Sequence, residues 1–248
     1  MTNHWIDFKN SDVIFIMGSN PASNHPVSFK WVQAAMDRGA KVICVDPRFT
    51  QSAAKAHLYA PLRSGTDIAF LGGMIKYIID NNLIQEAYVK NYTNASFLVN
   101  PAFKLPGDNN GVFSGLEGGK YSKDTWSYQT GADGVILKDS TLQNPHCVYQ
   151  LLKKQYARYT PEVVSKITGT PQDKLIEVYK LYASTGKPDK AGVELYAMGW
   201  TQHTVGTQMI RTMCMIQLLL GNMGIAGGGV AAMRGESNVQ GSTDHGLL

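Results

Sequence analysis

The segment from Ser11 to Arg48 constrains the fold of this chain more than any other part of it. Asp12 to Met17 is an almost wholly apolar run of strand length, which is typical of a strand buried on both faces of a parallel sheet. Pro26 suits the first turn of a helix, and Gly39 suits its end. A second apolar run, Lys41 to Val45, follows directly. The segment therefore predicts a β-α-β unit whose ligand site, if it has one, lies at the carboxyl ends of the strands.

The rest of the chain repeats the alternation of strand and helix, which predicts an α/β fold with a mostly parallel sheet. The helix after Pro26 is expected to bury an apolar face made of Val27, Trp31, Ala34 and Ala35. In the helix predicted from Asp67 to Asn81, the Gly72-Gly73 pair is expected to pack closely against the sheet. Further strands are predicted at 57–62 and 193–198, and further helices at 83–92, 147–157, 160–167, 170–184 and 205–220, with Thr66, Thr160 and Thr170 as N-caps.

Polar loops follow four of the predicted strands, at 18–25, 46–50, 63–67 and 199–203. In an open α/β sheet such loops converge on one edge and form a ligand crevice. The first loop offers backbone N–H groups at a helix N-terminus, which suits a phosphate or another anion. Asp46 is placed to accept hydrogen bonds from a ribose or a nucleobase, and Arg48 adds a cation, although a plain turn is the alternative. The first loop has one glycine and no Walker lysine, so it disfavours an ordinary NAD or P-loop site.

The composition is that of a globular protein, since 44% of the 248 residues are hydrophobic and 17% are charged. A formal charge of +4 is too small to indicate nucleic-acid binding. No apolar run is long enough to span a bilayer, and no signal peptide is evident. Cys44, Cys147 and Cys214 are widely spaced, so we expect them to serve packing rather than a metal cluster or a disulfide framework.

Residues 93–144 differ from the rest, because Gly, Asn, Asp, Ser and Lys dominate and aromatic residues punctuate them. A stretch of this length without long periodic segments is uncommon in a compact domain, and its aromatic residues argue against disorder. We interpret it as an ordered surface insertion with one hairpin, serving as an interface rather than as a catalytic element.

The last thirty residues contain two further candidates. The glycine-rich stretch 221–229 would let the backbone lie against a bulky planar ligand, or it could be a flexible turn. Arg234 lies between glycines and polar residues, which suits bidentate binding of a carboxylate, with an ordinary surface arginine as the alternative. For His25 and His203, both in strand-exit loops, structural hydrogen bonding is the expected role.

Six motifs occur here in a specific order, at 12–26, 45–48, 64–67, 199–202, 221–224 and 234–241. Together they resemble the molybdopterin oxidoreductase (DMSO reductase) superfamily, and within it the catalytic subunits of molybdenum- or tungsten-dependent formate dehydrogenases. The resemblance covers the whole chain and implies a three-layer Rossmann-like sandwich, the central molybdopterin-binding domain. It also implies the oxidation of formate to carbon dioxide at a molybdenum or tungsten centre held by bis(molybdopterin guanine dinucleotide).

The same resemblance assigns site residues. Arg234 matches the arginine that orients formate, with Asn238 and Gln240 supporting it, while Glu236 departs from the family pattern and its role is open. One guanine dinucleotide is matched by Gly18, Ser19, Asn20, Asp46, Arg48, Gly65 and Asp67. The wall around the other pterin is matched by Met198, Gly199, Gln202 and Gly224.

The resemblance also implies parts outside this sequence: a selenocysteine or cysteine metal ligand and a 4Fe-4S cluster before it, and more cofactor-binding structure after it. We expect 1–235 to be the dinucleotide-binding α/β domain and 236–248 to begin a further domain. Met1 is expected to follow an in-frame selenocysteine codon. An iron–sulfur electron-transfer subunit is the expected partner, in a periplasmic or membrane-associated complex, with the cytoplasm as the alternative. Another molybdopterin enzyme, such as a nitrate reductase, and a non-catalytic nucleotide-binding module are the competing functions.

Overall fold

Five parallel strands form the central sheet of the computed structural model, which describes residues 2–233 and residue 235. They are β1 (Val13–Met17), β2 (Lys41–Val45), β3 (Leu58–Ala60), β6 (Gly192–Tyr196) and β7 (Gly229–Ala232), and a separate antiparallel hairpin contains β4 (Leu116–Glu117) and β5 (Lys120–Tyr121). The order in the main sheet is β3-β2-β1-β6-β7. Since β1 pairs with β2 on one side and with β6 on the other, the strand order reverses at β1. This reversal is the feature that opens a ligand crevice in doubly wound folds.

Helices cover both faces of this sheet. They are α1 (Pro21–Asn24), α2 (Pro26–Asp37), α3 (Gln51–Lys55), α4 (Asp67–Asp80), α5 (Glu86–Tyr92), α6 (Val148–Tyr156), α7 (Pro161–Thr168), α8 (Gln172–Ala183), α9 (Met198–Thr201) and α10 (Gly206–Leu220). Short 3-10 turns occur at Trp5–Asn10, Pro106–Asp108 and Asp124–Trp126.

Successive strand residues contribute to two separate cores, as the alternation of side chains across a sheet requires. Phe15 and Met17 of β1 face the larger core, which is completed by α4, α6, α7, α8 and α10. Ile14 and Ile16 face the smaller core, which is completed by α2, α3 and the first 3-10 turn. The prediction of a three-layer α/β sandwich with a parallel sheet is confirmed.

The buried face of α2 differs from the prediction. Ser28, Val32 and Ala35 are buried, whereas Val27 is 75% exposed. Both sets of positions have helical spacing, so the periodicity alone could not choose between them. Packing against the first 3-10 turn and β2 decides the rotation of the helix about its axis.

The prediction that Gly72 and Gly73 pack against the sheet is wrong. A Cβ on Gly72 would lie 3.0 Å from the ring of Tyr159, and one on Gly73 would lie 2.5 Å from the hydroxyl oxygen of Tyr179. That hydroxyl donates a hydrogen bond to the carbonyl oxygen of Phe70 at 2.7 Å. The glycine pair therefore permits close packing within the helical layer.

Two glycines of the glycine-rich stretch 221–229 pack against backbone atoms of the same chain. A Cβ on Gly227 would lie 2.4 Å from the carbonyl carbon of Asn10, and one on Gly228 would lie 2.1 Å from the carbonyl oxygen of Asn222. The stretch leads into β7, a strand that the sequence patterns did not predict. Thr2 extends this edge, because its N–H donates to the carbonyl oxygen of Val230 at 3.0 Å.

The insertion is ordered and contains the predicted hairpin, β4 with β5. Isolated bridges join Phe97 to Lys138 and Leu98 to Cys147, and the ring centroids of Phe113 and Trp126 are 5.9 Å apart. Its use as an interface stays a prediction. Nowhere in the described part of the chain is a helix both long enough and apolar enough to cross a membrane.

The cysteines occupy packed positions, as predicted. Cys44 and Cys147 are buried, and Cys214 is partly buried. Burial raises the pKa of Cys44 to about 12, so its thiol is neutral at physiological pH and acts as a small apolar group.

Candidate functional site

A cavity of about 610 Å³ lies at the edge of the sheet where the strands end. Its lining comes from the loops after all five strands, so the predicted convergence of the four polar loops is confirmed. The loops after β1 and β6 face each other across it, at the reversal of the strand order. The lining residues are Gly18, Ser19, Asn20, Asn24, His25, Val45, Asp46, Pro47, Arg48, Thr50, Ser64, Asp67, Ala197, Met198, Gly199, His203, Met233 and Gly235.

The exits of β1 and β6 are fastened to each other. The carbonyl oxygen of Gly18 accepts the N–H of Gly199 at 3.0 Å, and the hydroxyl of Ser19 donates to the carbonyl oxygen of Leu195 at 2.8 Å. Gly18 has a φ of +72°, and a Cβ there would lie 2.6 Å from the Trp200 ring. A glycine is therefore required at this position by conformation and by space.

Asn20 fixes the first loop through its side chain. Its amide oxygen accepts from the hydroxyl of Ser52 at 2.8 Å, and its amide nitrogen donates to the hydroxyl of Ser23 at 2.9 Å. The side chain thus joins the short helix α1 to α3 and shapes the wall of the cavity.

Asp46 is a half-buried carboxylate at the end of β2. Burial raises its pKa, while the backbone N–H of Arg48, which donates at 2.8 Å, and the guanidinium charge of the same residue act in the opposite direction. Asp46 and Arg48 both line the cavity, and the hydrogen bond between them is the one expected of a turn. Their role in binding a ligand stays a prediction.

Asp67 is a second carboxylate, at the start of α4 and only 6% exposed. The indole N–H of Trp200 donates to its Oδ1 at 3.0 Å. Burial raises the pKa of Asp67, the Trp200 hydrogen bond and the electrostatic effect of His203 lower it, and the charge of Asp46 raises it. Two acceptors of similar chemistry therefore face the same space from different elements.

Thr66 precedes this helix as predicted, but its hydroxyl does not cap it. The hydroxyl donates to the carbonyl oxygen of Arg63 at 2.6 Å instead.

The two histidines differ from each other. His25 lines the cavity, contacts the amide oxygen of Asn24 and lies 5.2 Å from the Trp5 ring between centroids. His203 also lines the cavity, yet its Nδ1 is buried and has no hydrogen-bond partner within the described part of the chain. The expected structural hydrogen bond is therefore not made by that atom, and an unpartnered nitrogen is left in the cavity wall.

The predicted site residues fall into four groups. Gly18, Ser19, Asn20, Asp46, Arg48, Asp67, Met198 and Gly199 line the cavity. Gly65 and Gln202 are exposed and adjoin the lining residues Ser64 and His203. Gly224 lies in the turn between α10 and β7, at the opposite edge where the strands begin, so the structure does not bring it to the cavity. Arg234, Asn238 and Gln240 lie outside the described residues.

Trp200 and His203 belong to the predicted polar loop 199–203, but no binding role was predicted for either of them. Their signal in the sequence was this position, in a loop that leaves a buried strand. Trp200 is fully buried and joins Gly18, Asp67 and Tyr196, so its importance is visible only when these distant segments are brought together.

These groups suit a nucleotide-containing ligand. The two carboxylates can accept hydrogen bonds from base or ribose donors, and Arg48 can face a phosphate. The volume falls in the usual range for small-molecule sites. Among the described residues, no group of three or more His, Cys, Asp or Glu side chains is arranged to hold a metal ion.

Comparison with known proteins gives the same family as the motifs. The family model described as molybdopterin oxidoreductase matches residues 1–247. The alpha subunit of formate dehydrogenase from Megalodesulfovibrio gigas is 59% identical, with 100% of this chain and 24% of that subunit covered. The nitrate-inducible formate dehydrogenase major subunit of Escherichia coli (strain K12) is 54% identical, again over 100% of this chain and 24% of that subunit. The chain thus spans about a quarter of the length of these relatives.

A solved structure supports the fold. Acetylene hydratase from Pelobacter acetylenicus superposes with a TM-score of 0.59 at 22% identity, over 87% of this chain and 22% of that protein. At this identity the likeness concerns the architecture alone. The family model, however, covers nearly every residue, and the chain therefore belongs to the molybdopterin oxidoreductase family.

Proposed function

We propose that this chain is part of the catalytic subunit of a formate dehydrogenase, which oxidises formate to carbon dioxide. The observation that carries the proposal is the 59% and 54% identity to formate dehydrogenase subunits along the full length of the chain. The cavity at the switch point supports it, because it offers acceptors and a cation suited to a large nucleotide-containing cofactor.

The cofactor we propose is bis(molybdopterin guanine dinucleotide) with molybdenum or tungsten. Bound there, this group would supply the acceptor for the two electrons that formate gives up. The chain's own part would be to bind and orient it: Asp46 and Asp67 would accept hydrogen bonds from the guanosine end, and Arg48 would offer its positive charge to a phosphate. The fastened exits of β1 and β6 keep these groups in a fixed arrangement, which lowers the entropic cost of binding.

Formate itself we assign to Arg234, with Asn238 and Gln240 as supporting residues. This assignment rests on the sequence pattern, in which a guanidinium can bind a carboxylate through two parallel hydrogen bonds. In the complete enzyme the electrons would pass to iron–sulfur clusters, one in the same subunit and others in an electron-transfer partner.

The test uses the complete catalytic subunit purified under anaerobic conditions. We expect molybdenum or tungsten by elemental analysis, guanine nucleotide released on denaturation, and formate-dependent reduction of a viologen dye. Nitrate reduction without formate oxidation would replace the proposal with a nitrate reductase. Absence of both metals and of guanine nucleotide would indicate a non-catalytic module.

A further inference from the structure

Trp200 lies between the loop after β1 and the start of α4, and it contacts both. Its side chain has no exposed surface, and its ring stacks on Tyr196 at 5.3 Å between centroids. Its ring also lies so close to Gly18 that no side chain fits there. Such packing leaves the indole a single orientation, with its N–H directed at Oδ1 of Asp67 at 3.0 Å.

Asp67 depends on this donor, because few other groups stabilise its charge. The interactions that favour its ionised form are its own backbone N–H, the Trp200 N–H and His203, which lies in the same loop as Trp200. Asp46, at the end of β2, opposes them as a like charge. Since burial alone would favour the neutral acid, the Trp200 hydrogen bond contributes directly to the balance between the two forms.

We propose that Trp200 is a positioning residue for the cofactor, holding the Asp67 carboxylate in the orientation and charge state in which it accepts a hydrogen bond from the guanosine end. The inference rests on the proposed function. It assigns to Trp200 a role through Asp67 and not a direct contact with the reacting atoms.

The consequence is a defined response to pH. Without the indole N–H, the pKa of Asp67 rises further above its usual value, and the carboxyl group becomes protonated at a higher pH. A protonated carboxyl has lost much of its capacity as an acceptor. Cofactor retention should therefore weaken as the pH falls, and this loss should begin at higher pH when the N–H is absent. A hydrogen bond to a charged group corresponds to a shift of about one to two pH units.

The experiment compares the wild-type complete subunit with the W200F variant, loaded with cofactor and incubated between pH 5 and pH 9. The amount of guanine nucleotide that remains bound after desalting is measured at each pH. We expect the midpoint of nucleotide loss to lie about one to two pH units higher in W200F. W126F is the matched control, because the Trp126 N–H donates to the carbonyl oxygen of Ser114 at 2.9 Å in the insertion. W126F should lose its guanine nucleotide with the same pH midpoint as the wild type.

A second variant keeps the inference testable if W200F does not fold. D67N leaves the packing of Trp200 in place and removes the titrating group, so its nucleotide retention should lose the low-pH transition. Coincident midpoints for wild type and W200F, or an unchanged transition in D67N, would overturn the role of Trp200. If the wild type carries no guanine nucleotide at any pH, it is the proposed function that fails.

Discussion

Glu194 is a carboxylate in the interior of the sheet. It lies on β6 between Phe15 of β1 and Val230 of β7, and it has no exposed surface. Within the described part of the chain, neither of its carboxylate oxygens has a hydrogen-bond partner. Burial raises the pKa of Glu194 well above its usual value, which favours the neutral carboxylic acid in the folded protein.

The first prediction concerns the E194Q variant. Because the folded pKa exceeds the ordinary 4.5, the folded state binds the proton more tightly than the unfolded state does. The wild type should therefore lose stability as the pH rises above 4.5, by about 1.4 kcal/mol per pH unit until the folded pKa is reached. E194Q should lack this dependence. Urea unfolding at pH 5, 6, 7 and 8 measures it, with the exposed E117Q as control. Parallel profiles for wild type and E194Q would show that the buried carboxyl is not neutral.

Arg234 carries the second prediction. Removal of a preorganised charged donor typically lowers the rate by about 10²–10³-fold, and we expect R234A to do so in formate oxidation by the complete enzyme. The control is R211A, since Arg211 is an exposed arginine on α10 outside the cavity. Steady-state kinetics with formate and a viologen dye measure the effect. Full formate turnover by R234A, with metal content equal to that of the wild type, would refute the assignment.

At the scale of single elements, the contact between the β1 loop and the β6 loop leads to the third prediction. G18A should be more destabilising than G39A. Both glycines have positive φ, +72° and +96°, but a Cβ on Gly18 would lie 2.6 Å from the Trp200 ring, whereas nothing lies within 4 Å of a Cβ on Gly39. The free energy of unfolding should fall by about 1–3 kcal/mol more in G18A than in G39A, because overpacking adds to the backbone strain that both variants share. Denaturant unfolding of both variants measures it, and equal losses would mean that Trp200 moves aside without cost.

The local sequence predicted where strands and helices lie more reliably than it predicted which residues cap the helices. The apolar runs located β1 and β2, and Thr160 caps α7 as predicted, accepting the N–H of Val163. Thr170 has the same local pattern, yet Pro171 is the N-cap of α8 and the Thr170 hydroxyl donates to the carbonyl oxygen of Pro61. A distant carbonyl therefore decides what this threonine does. The strand β7 was missed because it is short and begins at a glycine.

The same distinction applies to the site. Asp46 and Asp67 could be predicted because Asp46 directly follows β2 and Asp67 ends the polar loop after β3, and the topology of a parallel sheet then brings them together. The role of Trp200 could not, since it depends on contact with Gly18, a residue far away in the sequence. Gly224 was assigned by motif alone. The direction of α10 places it at the edge where strands begin, away from the cavity.

At the scale of the whole molecule, the cavity brings together segments that are far apart in the sequence. Loops from both halves of the sheet line it, and hydrogen bonds join the β1 loop to the β6 loop and to α3, and the β6 loop to the start of α4. The insertion lies outside it, because no residue from 93–144 contributes to the lining. A ligand in the cavity would therefore act as a bridge between the loops, while leaving the insertion largely unaffected.

The fourth prediction follows from this arrangement and concerns removal of the cofactor. A ligand that binds only the folded state stabilises it by about 4 kcal/mol at a concentration 1,000 times its Kd. Cofactor-free enzyme, obtained by growth without molybdenum and tungsten, should unfold at lower temperature than loaded enzyme. Hydrogen–deuterium exchange should rise in the loops at 18–25, 46–50, 63–67 and 197–203. The hairpin at 116–121 is the internal control and should exchange equally in both forms. Equal exchange in the four loops, or a difference confined to the hairpin, would place the cofactor elsewhere in the molecule.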